Sequence, residues 1–264
     1  MRECVGGSPV VFGSPPRCRL TVGRVDRPAG SRGPTSRSAA ASIFEGMRLY
    51  LASTSPARLW LLRNAGVEPL VVPSHVDEPA AVAAAEAEHG SLAAGHMVQL
   101  LARAKAEAVL GSAPGGEPVD GVIVGCDSAF ELDGVVYGKP HEPEIARERW
   151  HAQRGRTGVL HSGHWVIDHR GGEVRAAVGA VAEASVTFSA DLTDAEIDAY
   201  IASGEPLHVA GAFTIDSLGG PFVERIAGDP STVIGMSLPT LRRLVRSLGL
   251  EWTAFWNRAG AAEA

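Results

Sequence analysis

The chain has 264 residues, of which 45% are hydrophobic and 20% charged, and its formal net charge is -6. This composition is ordinary for a globular protein and provides enough apolar surface for one sizeable core or two small lobes. Net acidity argues against a nucleic-acid partner bound through a broad basic face, and no apolar run reaches the roughly 18 residues that a membrane-spanning helix needs. Nucleoside triphosphates are not excluded, because they require only a few local cations and usually a metal.

The three cysteines, Cys4, Cys18 and Cys126, form no C-x-x-C pair and no even framework. The pattern indicates neither a disulfide scaffold nor a zinc site, and it fits a reducing, cytoplasmic location.

The basic residues are almost all arginine: Lys105 and Lys139 are the two lysines among 24 basic residues. Because a guanidinium cannot replace a compact ammonium everywhere, two surviving lysines are candidates for specific functions. Chance survival is the alternative, and the count alone does not separate the two.

Residues 1–46 differ in composition from the rest of the chain. They hold seven Arg and three acidic residues, whereas residues 47–264 hold 17 basic and 27 acidic residues. This segment is rich in Arg, Pro, Gly and Ser and lacks the apolar region of a secretory signal, so it fits a transit peptide, a disordered arm or translated sequence upstream of the true start. We favour a disordered or spurious extension, with one domain over residues 47–264 and Met47 as a natural start.

After Met47, predicted strands and helices alternate. In chain order they are a strand at Leu49–Ala52, a helix from Ser55-Pro56 to Gly66, a strand at Pro69–Pro73, a helix at about Ser91–Leu110, a strand at Val122–Cys126, a hairpin at Ala129–Tyr137, a helix at Glu144–Gln153, two long strands at Gly158–Ile167 and Glu173–Phe188, and helices at about Thr193–Ala202 and Leu238–Leu248. Alternation with a long hairpin predicts an α/β domain with a mixed sheet.

Common nucleotide-binding motifs are missing from the sequence. Gly134–Lys139 resembles a phosphate-binding loop, but it is one residue short and Pro140 stands where Ser or Thr would bind magnesium. His161 and His164 are three residues apart in a predicted strand, so we interpret them as strand residues on opposite faces and not as metal ligands.

The run from Leu51 to Arg58, LASTSPAR, is the first candidate site. Ser55 suits the N-cap and Pro56 the first position of a helix that follows a strand. Such a turn points backbone N–H groups and the positive end of the helix at a phosphate, and Arg58 could add a bidentate contact. A solvated Arg in a first helical turn is the alternative.

Asp127 is the second candidate because it directly follows the apolar strand at residues 122–126, and open α/β sheets bind ligands at the carboxyl ends of their strands. Lys139, which closes the hairpin, could reach back toward that strand end. Asp77-Glu78 and Lys105 complete a set of oxygen ligands and point cations, which is what a magnesium-assisted attack on a phosphoanhydride needs.

Six short motifs occur in order: Leu-Ala-Ser-x-Ser-Pro-x-Arg, Val-Asp-Glu, Ala-Lys-Ala, Gly-x-Asp-Ser, Gly-Lys-Pro and Ala-Gly-Ala-Phe. The series resembles the Maf (septum formation inhibitor) family of nucleoside triphosphate pyrophosphatases over about Arg48 to Leu250. Both lysines fall on motif positions. The resemblance implies a two-lobed fold like that of inosine triphosphatases, with an elongated mixed sheet flanked by helices and a central cleft. It also implies a divalent metal (Mg²⁺ or Mn²⁺), release of pyrophosphate and usually a homodimer.

The resemblance also implies roles for individual residues. Asp127 would be the general base that activates water and would bind the metal together with Glu78. The triphosphate would be held by Ser53, Arg58, Lys105 and Lys139.

Three further substrate-binding positions, Ala57, Ser128 and Asp216, depart from common family residues. They resemble positions that separate pyrimidine-preferring from 7-methylguanosine-preferring subgroups. Asp216 favours the second subgroup and the other two match neither, so the sequence leaves the preferred base open.

Two rival functions remain at this stage. The same fold could serve as a cell-division regulator that acts through protein contacts, or as a house-cleaning enzyme for inosine triphosphate with a different base pocket. An intact Asp127 with both lysines favours catalysis, because a binding module would not need that combination.

Overall fold

The computed structural model describes residues 47–258. The predicted extension at residues 1–46, with Cys4 and Cys18, lies outside the described residues, as do residues 259–264. No helix within the described range is both long and apolar enough to cross a membrane.

Seven strands form a single mixed sheet. They are β1 (Leu49–Leu51), β2 (Leu70–Val71), β3 (Val122–Leu132), β4 (Val135–Tyr137), β5 (Thr157–Asp168), β6 (Ala176–Phe188) and β7 (Val223–Gly228). Their order is β2-β1-β3-β5-β6-β7, and β4 pairs with β3 as a hairpin. Only β1 makes parallel pairs, with β2 and β3, and the other pairs are antiparallel. The predicted α/β fold with a mixed sheet is confirmed.

Seven α-helices among the described residues flank the sheet. They are α1 (Pro56–Asn64), α2 (Glu78–His89), α3 (Ala94–Ala108), α4 (Pro143–Gln153), α5 (Asp194–Ala202), α6 (Pro230–Ile234) and α7 (Leu238–Ser247). Short 3₁₀ turns at Glu205–His208, Ala210–Ala212 and Trp252–Phe255 connect or follow them.

The long strands take part in hydrophobic cores at both of their ends. On β3, Val122 and Val124 pack into a core with α1 and α7, while Phe130 and Leu132 pack into an aromatic core with α4 and α5. A smaller cluster on the opposite face includes Tyr50 and Ile123. The two-lobed organisation expected for this fold therefore corresponds to two main cores on one continuous sheet, with the polar middle of β3 between them.

Three parts of the prediction were wrong. Helix α2 was not predicted, because its Ala- and Glu-rich sequence has no apolar stripe and none of its residues is buried. Strand β3 is continuous, whereas a break was predicted between residues 126 and 129 because two polar residues follow the apolar run. Strand β7 and the short helix α6 were hidden in a segment whose Gly and Pro content indicated only loops.

The two strand histidines behave as predicted. His161 faces Gly95 of α3, whereas the Nε2 atom of His164 accepts a hydrogen bond from the Ser237 backbone N–H at 2.9 Å on the opposite face. Complete burial lowers the pKa of His164 to about 4, so its ring is neutral at neutral pH and its acceptor nitrogen fixes the start of α7.

Candidate active site

The turn after β1 is built as the sequence predicted. Ser55 is the N-cap of α1, its hydroxyl accepts the Arg58 backbone N–H, and Pro56 begins the helix. The Ser55 N–H in turn donates to the hydroxyl of Ser53 at 3.2 Å. These bonds fix the first turn of α1 beside the parallel pair of β1 and β3, and they orient the Arg58 side chain into the protein.

The Arg58 guanidinium is buried and makes three hydrogen bonds to neutral groups. It donates to the hydroxyls of Ser53 and Ser128 at 3.2 Å each and to the Gly235 carbonyl at 2.9 Å. No carboxylate within residues 47–258 forms an ion pair with it. A buried cation without an anionic partner is costly in the free protein, and an anionic ligand would relieve that cost.

Asp127 lies in the middle of β3, not at its carboxyl end as predicted. The error has a simple geometric origin, because β1 ends beside Val124 whereas β3 continues past it to Leu132. Asp127 therefore lies on the part of β3 that extends beyond the end of β1, where the turn that carries Ser53 begins. Asp127 thus does not end its own strand, and it lies three residues beyond Val124, the partner of the last residue of β1.

Lys105 on α3 joins two carboxylates. Its Nζ atom lies 2.6 Å from the Asp127 Oδ1 atom and 2.7 Å from the Glu78 Oε1 atom. Helix α3 can approach the sheet this closely because Gly125 and Gly163 lie beneath it. A Cβ atom on either glycine would collide with α3 backbone oxygens.

Burial sets the electrostatics of this group. It raises the pKa of the Asp127 carboxyl above its ordinary value, and the positive charges of Lys105 and Arg58 offset that effect only in part. A raised pKa makes the carboxylate a stronger proton acceptor than an exposed aspartate. Glu78, by contrast, is half exposed and closes the group at the surface.

Lys139 follows the β3–β4 hairpin, two residues after the end of β4. In the antiparallel β3–β4 register Phe130 pairs with Tyr137, so the chain after Tyr137 runs back along β3 toward Ser128. The Gly138 carbonyl accepts a hydrogen bond from the Gly211 N–H at 3.3 Å, which anchors the backbone. The Lys139 side chain itself is exposed, and it has no hydrogen bond or ion pair with any described residue.

Asp216 is also exposed, in the loop between Phe213 and Gly219. Glu205 holds this loop by accepting bonds from Thr214, Leu218 and Gly219. Burial raises the pKa of Glu205, but hydrogen bonds from Thr214 and other neighbours outweigh that effect and hold its pKa below the ordinary value. The third base-side candidate, Ala57, is half-buried in the first turn of α1.

The structure places six of the predicted site residues in two groups: Arg58 with Ser53 and Ser128, and Lys105 with Glu78 and Asp127. The groups adjoin at Asp127-Ser128 on β3, and the positive charge of Arg58 offsets part of the rise that burial causes in the pKa of the Asp127 carboxyl. Lys139 and Asp216 make no contact with them in the described hydrogen bonds and ion pairs.

Comparison with known proteins assigns the chain to a family. The family model described as "Maf-like protein" matches residues 48–248. The chain belongs to the Maf-like family.

Three relatives of this Maf-like protein carry the same name. The chain is 75% identical over 216 residues to a nucleoside triphosphate pyrophosphatase of Leifsonia xyli subsp. xyli. The match covers 82% of this chain and all of the relative. Proteins of the same name from Salinispora tropica and Saccharopolyspora erythraea are 51% and 49% identical over 212 residues. These matches cover 80% of this chain and 88% and 98% of the two relatives.

Sequence reasoning missed two residues that support the site of this Maf-like protein. Ser162 on β5 bonds to the Ser128 hydroxyl at 2.9 Å and donates to the Thr232 carbonyl at 3.0 Å. Gly235, after α6, offers one carbonyl to both Arg58 and Ser128. No local pattern marks either residue, because their partners are distant in the sequence.

Glu78 and Asp127 are the carboxylates of the site that have the chemistry of metal ligands. No group of three or more His, Cys, Asp or Glu side chains suited to a metal occurs in the described part of the chain. Glu78 and Asp127, however, direct oxygens at the same ammonium. Magnesium commonly takes one or two carboxylates and completes its shell with water and substrate phosphates. These two residues therefore fit a divalent cation that is shared with a nucleotide.

Proposed function

We propose that this Maf-like protein is a nucleoside triphosphate pyrophosphatase that hydrolyses the bond between the α- and β-phosphates and releases a nucleoside monophosphate and pyrophosphate. The observation that carries the proposal is a buried carboxylate, Asp127, which Lys105 holds, directly before Ser128, whose hydroxyl binds the buried guanidinium of Arg58. Three relatives, which are 75%, 51% and 49% identical to this chain, bear the name of this activity.

The cations and hydroxyls of the site would bind the triphosphate. The partners of the Arg58 guanidinium are neutral, and Lys105 adds an ammonium at Asp127. A phosphate forms stronger, charge-assisted bonds with these groups than the hydroxyls of Ser53 and Ser128 do. We infer that the exposed Lys139 moves onto the triphosphate when it binds.

Asp127 would act as the general base. It accepts a proton from the attacking water, whose oxygen forms a bond to the α-phosphorus while the bond to the bridging oxygen breaks. The electron pair of that bond leaves with pyrophosphate. Burial favours this role because it raises the pKa of Asp127, and Lys105 keeps the carboxylate ionised and oriented.

Glu78 and Asp127 would hold a divalent cation, Mg²⁺ or Mn²⁺, which neutralises phosphate charge and lowers the pKa of bound water. Both carboxylates form ion pairs with the single ammonium of Lys105. We infer that the half-exposed Glu78 can turn from Lys105 toward the cation, whereas the buried Asp127 stays in place.

The nucleobase would be read by residues at the edge of this group. We infer that Ala57, Ser128 and Asp216 contribute to base selection, with Asp216 supplying acceptors for N–H donors. The residues give no single preferred base.

A panel of natural and modified nucleoside triphosphates, assayed for pyrophosphate release with magnesium and with manganese, tests the proposal. We expect release of one pyrophosphate and one monophosphate per substrate, with strong metal dependence. Release of single phosphates, or no turnover of any substrate, would contradict it. The cell-division regulator predicts binding partners without turnover, and a house-cleaning enzyme for inosine triphosphate predicts that inosine triphosphate is turned over fastest.

A further inference from the structure

Helix α7 carries a positive surface on an acidic domain. Residues 47–264 hold ten more acidic than basic residues, yet α7 contains three arginines and no acid. Arg242, Arg243 and Arg246 are all exposed, because the opposite face of the helix, with Leu241 and Leu244, packs into the core. The helix therefore presents a concentrated positive charge to solvent.

These arginines differ from most others in the described chain. Eight arginines, among them Arg63 and Arg170, form ion pairs with carboxylates. Arg243 instead donates to the hydroxyl of Thr240 at 2.7 Å. The side chains of Arg242 and Arg246 have no hydrogen bond or ion pair with a residue in the range 47–258. Their donors remain available to a ligand.

Two of the three arginines border a shallow pocket of about 450 Å³ that is open to solvent. Its other lining residues are Ala65 at the end of α1, Leu238 and Pro239 in the first turn of α7, and Trp252 in the turn that follows it. None of the lining residues is acidic. The volume lies within the range of about 300–1,000 Å³ that is usual for small-molecule sites.

The chemistry of the lining defines the ligand. An indole beside aliphatic side chains offers a surface for a flat ring, and two guanidiniums offer bidentate donors for a phosphate. The acidic remainder of the domain disfavours a long polyanion, whose additional phosphates would meet negative charge. We propose that this pocket, which we call the α7 pocket, binds a nucleoside monophosphate, with the base against Trp252 and the phosphate on Arg242 and Arg243.

The α7 pocket shares no lining residue with the candidate active site. It is nevertheless close in the chain, because Gly235, which holds Arg58, lies three residues before Leu238. The proposal rests on the lining residues and not on the proposed function. It can therefore fail or succeed independently of triphosphate hydrolysis.

Calorimetric titration of the full chain with adenosine 5′-monophosphate tests the proposal. We expect the double variant Arg242→Ala/Arg243→Ala to lose one equivalent of bound nucleotide, or to bind it at least tenfold more weakly. Arg246→Ala is the matched control, because it removes the same charge from the same helix outside the pocket and should leave binding unchanged. Unchanged binding in the double variant would overturn the proposal.

Two further titrations test the ring and the phosphate separately. Inorganic phosphate and adenosine should each bind at least tenfold more weakly than the monophosphate, and equal binding of phosphate alone would overturn the proposal by removing the role of the ring. Nucleotide should quench tryptophan emission in the wild type but not in Trp252→Phe, which keeps an aromatic ring against Phe255. Persistent quenching in that variant would place the base elsewhere.

A second copy of this acidic chain is the competing occupant. Sedimentation of wild type and double variant across a hundredfold range of concentration separates it from a nucleotide. We expect the same oligomeric state for both proteins. Dissociation caused by the double variant, without any change in nucleotide binding, would overturn the proposal in favour of an interface between copies.

Discussion

The two sides of the candidate active site are organised in opposite ways. On the buried side, Arg58, Lys105 and Asp127 are each held by side-chain hydrogen bonds before any substrate is present. On the loop side, Lys139 and Asp216 are exposed, and the backbone from which they extend is anchored by Gly211, Glu205 and Arg149 of α4. The buried side is thus fixed in position without a substrate, whereas we expect the loop side to reach its final geometry only when a substrate binds.

This contrast has an energetic consequence. Burying charged groups is expensive, and the hydrogen bonds of Arg58 and the Lys105–Asp127 pair offset that cost only in part. Because the pKa of Asp127 is raised, the folded state binds the proton of this carboxyl more tightly than the unfolded chain does. The contribution of Asp127 to stability is therefore present at low pH and is lost as the pH rises through its raised pKa. At neutral pH the buried charges therefore lower the free energy of unfolding, whereas the exposed side chains of Lys139 and Asp216 do not.

Asp127→Asn should have the largest effect on activity. The amide keeps the shape of the side chain but cannot accept the proton of water, so kcat should fall by about 10²–10⁴-fold. The melting temperature at neutral pH should be unchanged or higher, because a buried charge is removed, and nucleotide binding should persist or tighten. Asp133→Asn in the β3–β4 turn is the control and should leave turnover unchanged, since Asp133 is exposed. Retention of more than about a tenth of the wild-type rate would remove Asp127 from catalysis.

Arg58→Lys should have the next largest effect. An ammonium cannot reproduce three divergent hydrogen bonds, to two hydroxyls and to the Gly235 carbonyl, so we expect kcat/KM to fall by roughly 100-fold, the loss typical of one fixed electrostatic contact. Arg63→Lys, on the same helix but in an exposed pair with Glu68, should change kcat/KM less than about twofold, since exposed pairs contribute little. Equal effects of the two exchanges would mean that Arg58 has only a structural role.

Lys139→Arg is the reciprocal exchange on the loop side. The larger, forked guanidinium cannot place a compact charge at the same point, and we expect a loss of about 2 kcal/mol in kcat/KM, or roughly 30-fold. The Lys139 side chain bonds to no described residue. The exchange should therefore have a negligible effect on the free energy of unfolding, unlike Arg58→Lys. Arg147→Lys on the surface of α4 serves as the control for a charge-conserving exchange. Near wild-type kinetics would place Lys139 outside the site.

Asp216→Gln should have the smallest effect, confined to substrate choice. A carboxylate accepts hydrogen bonds from a guanine edge and repels carbonyl-only edges, so its removal should shift preference several-fold toward uracil or thymine. Leu218→Ala, an exposed change in the same loop, should leave the ranking of triphosphates unchanged. An unchanged ranking in Asp216→Gln as well would show that this residue does not read the base.

Local chemistry explains which features could be predicted from the sequence. The N-cap at Ser55, the helix start at Pro56 and the apolar run before Asp127 are signals within a few residues, and family motifs identified Lys105 and Glu78. The pairing of Lys105 with Asp127 spans 22 residues and depends on glycines under α3.

The remaining features depend on contacts that no short pattern encodes. The Gly235 carbonyl meets Arg58 across 177 residues of chain, and α2 has no buried face that a periodic pattern could show. Three statements remain predictions: that residues 1–46 are dispensable, that the protein forms a homodimer and that it is cytoplasmic. We expect a chain that begins at Met47 to keep its melting temperature and turnover.

The most direct test of the central claim is the pH dependence of the ratio between wild-type and Asp127→Asn kcat/KM. Titrations of the substrate affect both proteins and cancel in this ratio when both are assayed at saturating metal. If an ionised Asp127 is the base, the ratio should be large at neutral pH and should fall as the pH drops through a pKa above about 4, the ordinary value for aspartate. A ratio that does not change with pH would contradict the assignment of Asp127 as the proton acceptor.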